Sequence, residues 1–282
     1  MAIRDILLAL SSYPDRTPDS AVTAGVAIAA ALDARISAIA CEARVKLPSS
    51  LLGNALIDLS ALAAAEARKS AANVTELLAL VQAEAKKLGV NADIVSEKCF
   101  TLDIPETLAE YARFRDLTIV PVPHGDDVDQ WYAETVIFES GRPALILPHE
   151  WKRREPFQLD TAVVAWDFSK TAARAVADAI PVLQKTRLVH VVTVTNEKEI
   201  DTQRSAAELA RHLAHHRIEV NVDTTDAAGR DIGSVLKSYS ATRDADLLVM
   251  GAYGHSRLRE FVLGGATRSM LSQPTLPVLM SH

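Results

Sequence analysis

The residues whose type and spacing suggest chemistry are the glycines of Gly251-Ala252-Tyr253-Gly254 and Gly264-Gly265, together with Asp167. Leu247-Leu248-Val249-Met250, within 246–250, is a short continuous apolar run of the kind a parallel strand buried on both faces presents, and Gly251 ends it. Gly264 and Gly265 then precede a helical pattern over 266–272, which Pro274 stops. A strand that passes through glycines into a helix N-terminus offers backbone N–H groups and the positive end of a helix dipole, a combination that binds phosphate. A Cβ would hold a phosphate oxygen off the backbone, and such turns often take a positive φ that glycine adopts freely. The same glycines would also serve a tight turn with no ligand. The spacing is neither Walker A, since no Gly-Lys-Ser/Thr follows, nor the compact Gly-x-Gly-x-x-Gly fingerprint.

Asp167 closes the apolar run 161–166. A carboxylate at the C-terminal end of a central parallel strand faces the crevice where open α/β sheets bind ligands. The competing role is a helix cap, open to Asp167 and to Ser169. His255 and Arg257 lie inside the glycine loop, where they either contact phosphate or stand in solvent.

The elements that must position these residues follow from the apolar runs and their breakers. The first half reads as strand 3–10, an Ala-rich helix opened by Pro18 and running to about residue 33, strand 35–45, helix 60–88 ended by Gly89, strand 92–99, helix 104–113, and strands 117–122 and 143–147. Segment 47–58 is apolar for a loop and covers a ligand, a partner surface or its own domain. Residues 149–156, charged and closed by proline, read as a linker. Beyond it come strand 161–167, helix 170–185, strand 187–195, helix 199–215, strand 218–224, helix 231–242, strand 246–250, the glycine loop, the last helix and strand 276–280. Strands alternating with helices imply right-handed crossovers and a parallel sheet.

The order runs twice, which makes 1–150 and 151–282 one unit repeated. Ile6-Leu7-Leu8-Ala9-Leu10-Ser11 falls on Ala162-Val163-Val164-Ala165-Trp166-Asp167, and 117–120 falls on 247–250. Pro121-Val122-Pro123-His124 then stands where the second half has Gly251-Ala252-Tyr253-Gly254. Proline lacks the N–H and fixes φ, so the first copy is degenerate as a phosphate site.

Composition narrows the function classes. An apolar fraction of 49% over 282 residues supports two cores. A formal charge of -6 and a pI near 5.8 give no attraction to nucleic acid. The longest apolar run falls short of the roughly 20 residues of a membrane span, and Met-Ala-Ile-Arg-Asp carries charges where a signal peptide is apolar. A cytoplasmic protein is expected, without a membrane partner. Cys41 and Cys99 are read as small buried strand residues that a reducing compartment keeps as thiols. His212, His215 and His216 near a helix end supply favourable charge there, although i, i+4 spacing also suits a metal.

Gly251-x2-Gly254-x9-Gly264 resembles the nucleotide-binding signature of the universal stress protein family, in which Ser or Thr follows the last glycine. Gly265 stands in that place here, and Thr267 and Ser269 are the hydroxyls in the first helical turn. Asp167-Phe168-Ser169-Lys170-Thr171-Ala172 resembles the family's Asp-x-Ser-x-x-Ala turn, whose aspartate contacts the nucleoside. Leu188-Val189-His190-Val191 resembles its second strand, where the backbone at the place of Val191 recognises adenine.

The resemblance implies two tandem Rossmann-like (adenine nucleotide alpha-hydrolase-like) domains, each a five-stranded parallel sheet of order 3-2-1-4-5 with helices on both faces. It implies ATP or AMP, with or without magnesium, held by Ala165, Trp166, Asp167, Val191, Met250, Gly251, Gly254, His255, Arg257, Gly264, Gly265, Ala266 and Thr267. It further implies a stress-response or signalling role and an intramolecular pseudo-dimer through the last strands, 144–147 and 276–280, with room for a further homodimer. The loop carries no carboxylate between Gly251 and Arg259 to act as general base, so a dedicated enzyme is not expected, while slow ATP hydrolysis stays open. The alternative is a nucleotide-free interaction scaffold of the same fold, which Gly265 favours.

Overall fold

The computed structural model describes residues 2–44, 59–125, 127–151, 157–195, 202–252, 254–257 and 260–282, so segment 47–58 and most of the expected linker lie outside the described residues. In the first half β1 (Asp5–Leu10), β2 (Arg35–Arg44), β3 (Ala92–Phe100), β4 (Leu117–Val122) and β5 (Ala144–Pro148) alternate with α1 (Asp19–Ala31), α2 (Leu59–Leu88), α3 (Ile104–Ala112) and α4 (Asp127–Glu139). The second half contains β6 (Thr161–Ala165), β7 (Leu188–Thr195), β8 (Val220–Asp226), β9 (Leu247–Gly251), β10 (Gly254–Arg257), β11 (Glu260–Leu263) and β12 (Val278–Ser281). Its helices are α5 (Lys170–Leu183), α6 (Thr202–His215), α7 (Ile232–Thr242) and α8 (Gly265–Ser272).

Ten strands form one sheet in the order β3-β2-β1-β4-β5-β12-β9-β6-β7-β8, which is 3-2-1-4-5 in the first half and the same order reversed in the second. Within each half the neighbours are parallel, whereas β5 and β12 meet antiparallel, with Ile146 opposite Val278 and Leu145 opposite Leu279. That junction joins the two half-sheets into a continuous ten-stranded sheet. One core cluster packs α1, α2, α5 and α6 on one face, and a second packs α3, α4, α7 and α8 on the other. Among the described residues no helix is long and apolar enough to cross a membrane.

The two halves repeat each other in detail. Ile6 pairs with Leu117 and Ala162 with Leu247, the register expected from overlaying the two apolar runs. Before β4, Asp116 Oδ2 accepts the N–H groups of Arg4 and Asp5 at 2.8 and 3.0 Å. Before β9, Asp246 Oδ2 accepts those of Asp160 and Thr161 at 2.9 and 3.0 Å. A carboxylate at the mouth of the fourth strand thus ties down the start of the first. Asp246→Ala leaves two strand N–H groups without this acceptor and is expected to lower stability by about 2 kcal/mol. A urea midpoint unchanged from wild type would show that water replaces the carboxylate at no cost.

Cys41 and Cys99, on neighbouring strands, are buried free thiols with their Sγ atoms 3.2 Å apart. Burial pushes the Cys41 pKa above the ordinary thiol value.

Candidate functional site

The central strand of the second half, β6, has β7 on one side and β9 on the other. The connection after β6 runs through α5 to one face and the one after β9 runs through α8 to the other, so the strand ends separate and leave a crevice at this switch point. A cavity of about 290 Å³ lies there, near the lower end of the small-molecule range. Nine of the expected residues line it: Ala165, Trp166, Asp167, Met250, Gly251, Gly264, Gly265, Ala266 and Thr267.

Three helix N-termini meet at the cavity, and their caps differ. Asp167 Oδ1 accepts the Ser169 N–H at 3.0 Å in an Asx turn that carries Phe168 through φ 61°. Ser169 Oγ then accepts the Ala172 N–H at 3.1 Å and caps α5. Asp231 Oδ1 caps α7 by accepting the Ser234 N–H at 2.9 Å, and hydrogen bonds from Ser234 hold its carboxyl below the ordinary value. α8 begins at Gly264 with no side-chain cap. A helix start without a side-chain cap is a place where an anion can be held. Asp167 thus holds the turn through Oδ1 and lines the cavity, while the cap of α5 is Ser169.

The glycines are explained differently from the expectation. Positive φ occurs at Gly89, Gly125, Gly141 and Gly229, not at Gly251, Gly264 or Gly265; Gly264 has φ -61°. Gly251 is required by close approach: a Cβ there would sit 2.5 Å from Ala172 N and from Thr171 C, and 2.7 Å from Thr171 Oγ1. It lets the first turn of α5 rest on the end of β9. At Gly265 a Cβ meets nothing within 4 Å, so the space beside α8 is open.

The expectation for Val191 concerns its backbone; its side chain does not line the cavity and is fully buried in the core of the opposite face. Alternation along β7 turns Val192 and Val194 to the cavity instead, and the Val192 carbonyl accepts the Trp166 N–H at 2.9 Å. Trp166 borders the cavity while its indole, 8% exposed, packs edge-on against Phe168. Gly254, His255 and Arg257 belong to β10, which pairs with β11 in a hairpin; the phosphate contacts expected of His255 and Arg257 lie outside the described residues.

Sequence reading missed Ser169, Thr171, Val192, Val194, Asp231, Ile232 and Leu236 as lining residues. The alternation on β7 and the Asp231-x-x-Ser234 cap were the available signals. Behind Val192 a polar group ties β7, β8 and α7 together. Asp223 Oδ2 lies 3.3 Å from His190 Nδ1, accepts from Arg243 at 3.1 Å, and accepts the Tyr239 hydroxyl. The bond from Tyr239 holds Asp223 below the usual carboxylate range, while burial and the same bond push the phenol up. Among the described residues no cluster of three or more His, Cys, Asp or Glu side chains forms a metal site, and His212 and His216 stack edge to face at 4.9 Å.

Sheet order and crevice together define an α/β protein with an open crevice at the switch point of a parallel half-sheet. Residues 159–282 match the universal stress protein family. It is 30% identical over 152 residues to a universal stress protein from Synechocystis, a stretch that is 52% of this chain and 49% of the relative, so the chain spans about half the length of that relative. The fold is similar over 98% of this chain to a universal stress protein from Archaeoglobus fulgidus, of which it covers 95% (TM-score 0.68, 17% identity). A Pseudomonas aeruginosa protein described as functionally unknown is matched over 99% of this chain and 92% of its own (TM-score 0.55, 16% identity). At such identities the likeness carries the fold alone.

Proposed function

We propose that the chain is a two-copy universal stress protein that binds an adenine nucleotide, ATP or AMP with or without magnesium, in residues 151–282, and acts in stress response or signalling in the cytoplasm. The observation that carries this reading is one cavity that places Asp167 with the uncapped start of α8. The residues fit the group. The amides of Gly265, Ala266 and Thr267 would hold phosphate oxygens, Asp167 would accept from ribose hydroxyls, and Ala165, Val192 and Val194 would border the base. The open space at Gly265 leaves room for phosphate beside the helix start. In this reading 1–150 is the degenerate copy, and the antiparallel pairing of β5 with β12 supports an intramolecular pseudo-dimer.

The second reading, a nucleotide-free scaffold, is favoured by Gly265, which lacks the hydroxyl that the family carries there. Denaturing the purified protein and identifying released nucleotide by absorbance and mass separates the two. Asp167→Ala is expected to weaken ATP binding by about 1 to 3 kcal/mol, roughly 5- to 150-fold, in a folded protein. Calorimetry that finds the affinity unchanged removes Asp167 from the site.

A further inference from the structure

α8 is a short helix, and what aims its N-terminus at the cavity comes from α7. Gly233, in the first turn of α7, is buried, and a Cβ added there would stand 2.4 Å from both Cβ and Oγ of Ser269. The Ser269 side chain therefore rests directly on the Gly233 backbone, at a point where an added side chain would press on α8. One turn further along α7, the half-buried Lys237 extends its Nζ to the Ser269 carbonyl oxygen at 2.9 Å. That oxygen also takes the N–H of Gln273 beyond the end of α8, so the ammonium sits at the negative end of the helix. A cation there reinforces the dipole whose positive end faces the cavity.

Resting on the nucleotide reading above, we infer that Gly233 and Lys237 are positioning residues for the phosphate end of the ligand: they clasp α8 through Ser269 and set the direction of its N-terminus. Neither residue lines the cavity. Their effect is confined to whatever the α8 amides hold, which is phosphate, and does not extend to the nucleoside end between Asp167 and Val194. Burial draws the Lys237 pKa below the ordinary lysine value, while the charge of Asp231 opposes that shift.

The test compares two ligands. Calorimetry with ATP and with adenosine is run on wild type, Lys237→Met, Lys237→Arg and Gly233→Ala, with thermal unfolding recorded for each. Lys237→Met is expected to weaken ATP binding about tenfold while leaving adenosine binding unchanged, and Lys237→Arg to restore most of the loss. Gly233→Ala is expected to show the same selective loss, because the added methyl displaces α8. Equal losses for ATP and adenosine, or unchanged ATP affinity in Lys237→Met, would overturn the clasp. Wild type that binds neither ligand would instead remove the nucleotide reading on which the clasp rests. If Gly233→Ala fails to fold, the two Lys237 variants decide the matter alone.

Discussion

Gly251→Val is expected to lower stability by about 3 kcal/mol and to abolish nucleotide binding in whatever fraction remains folded. Overpacking at a tight contact costs about 1 to 3 kcal/mol, and this contact is of the severe kind: the clash is with backbone atoms of Thr171 and Ala172, which cannot rotate away. Relief requires the first turn of α5 to move. Ser169 and Thr171 in that region line the cavity, and the Asx turn of Asp167 is anchored on Ser169, so one displacement spoils the cap, the turn and the crevice together. Gly265→Ser is the matched control, since its Cβ meets nothing and its φ is ordinary; it should fold as wild type and bind ATP at least as tightly. Chemical denaturation and calorimetry on the two variants check both parts. A Gly251→Val protein with wild-type stability would show that α5 does not rest on β9 as described.

This contrast marks what the sequence disclosed and what it withheld. The strands were legible because each is a short apolar run bounded by breakers, and the helices α2, α3 and α7 begin and end within two residues of where Gly89, the apolar periodicity and Asp231 put them. The crevice was legible because Asp167 and the glycine loop each follow a buried strand. The reason for Gly251 was not, since a close approach between segments far apart in the chain leaves no local trace and glycine looks the same whether it serves φ, a phosphate or a neighbouring backbone. For the same reason Gly233 drew no notice inside a good helical pattern. No local signal marks α4, although Tyr132, Ala133, Val136 and Ile137 form a buried helical stripe, because polar residues interleave it and no cap announces it. The β10–β11 hairpin was read as loop, being only two four-residue strands inside a segment judged by its glycines.

Equilibrium dialysis with ATP is expected to give one nucleotide per chain, and the structure supplies a physical cause beyond the missing glycines. Matching the registers sets Ala9 and Ile39 against Ala165 and Val192, which puts Cys41 at the place of Val194 and Ile104 at the place of Ile232. In the second half Ala165, Val194 and Ile232 are all partly exposed to the cavity. Their counterparts Ala9, Cys41 and Ile104 are 4%, 3% and 5% exposed, so the first crevice is filled. Tyr13, at the place of the small Ser169, is partly buried and packs against that same cluster. Pro121 lies in β4 where Gly251 ends β9. Glu134, which by sequence falls near Gly264, lies inside α4 with its Oε1 accepting from Gln130. The physical cause of exclusion is steric closure. Reopening the crevice would mean displacing a partly buried aromatic ring and a buried aliphatic cluster, at several kcal/mol, which puts any second site at least about a hundredfold weaker than the first. A stoichiometry near two, or nucleotide bound beside Ser11 in a crystal grown with ATP and magnesium, would mean that Tyr13 moves out at little cost and that the first half retains a working site.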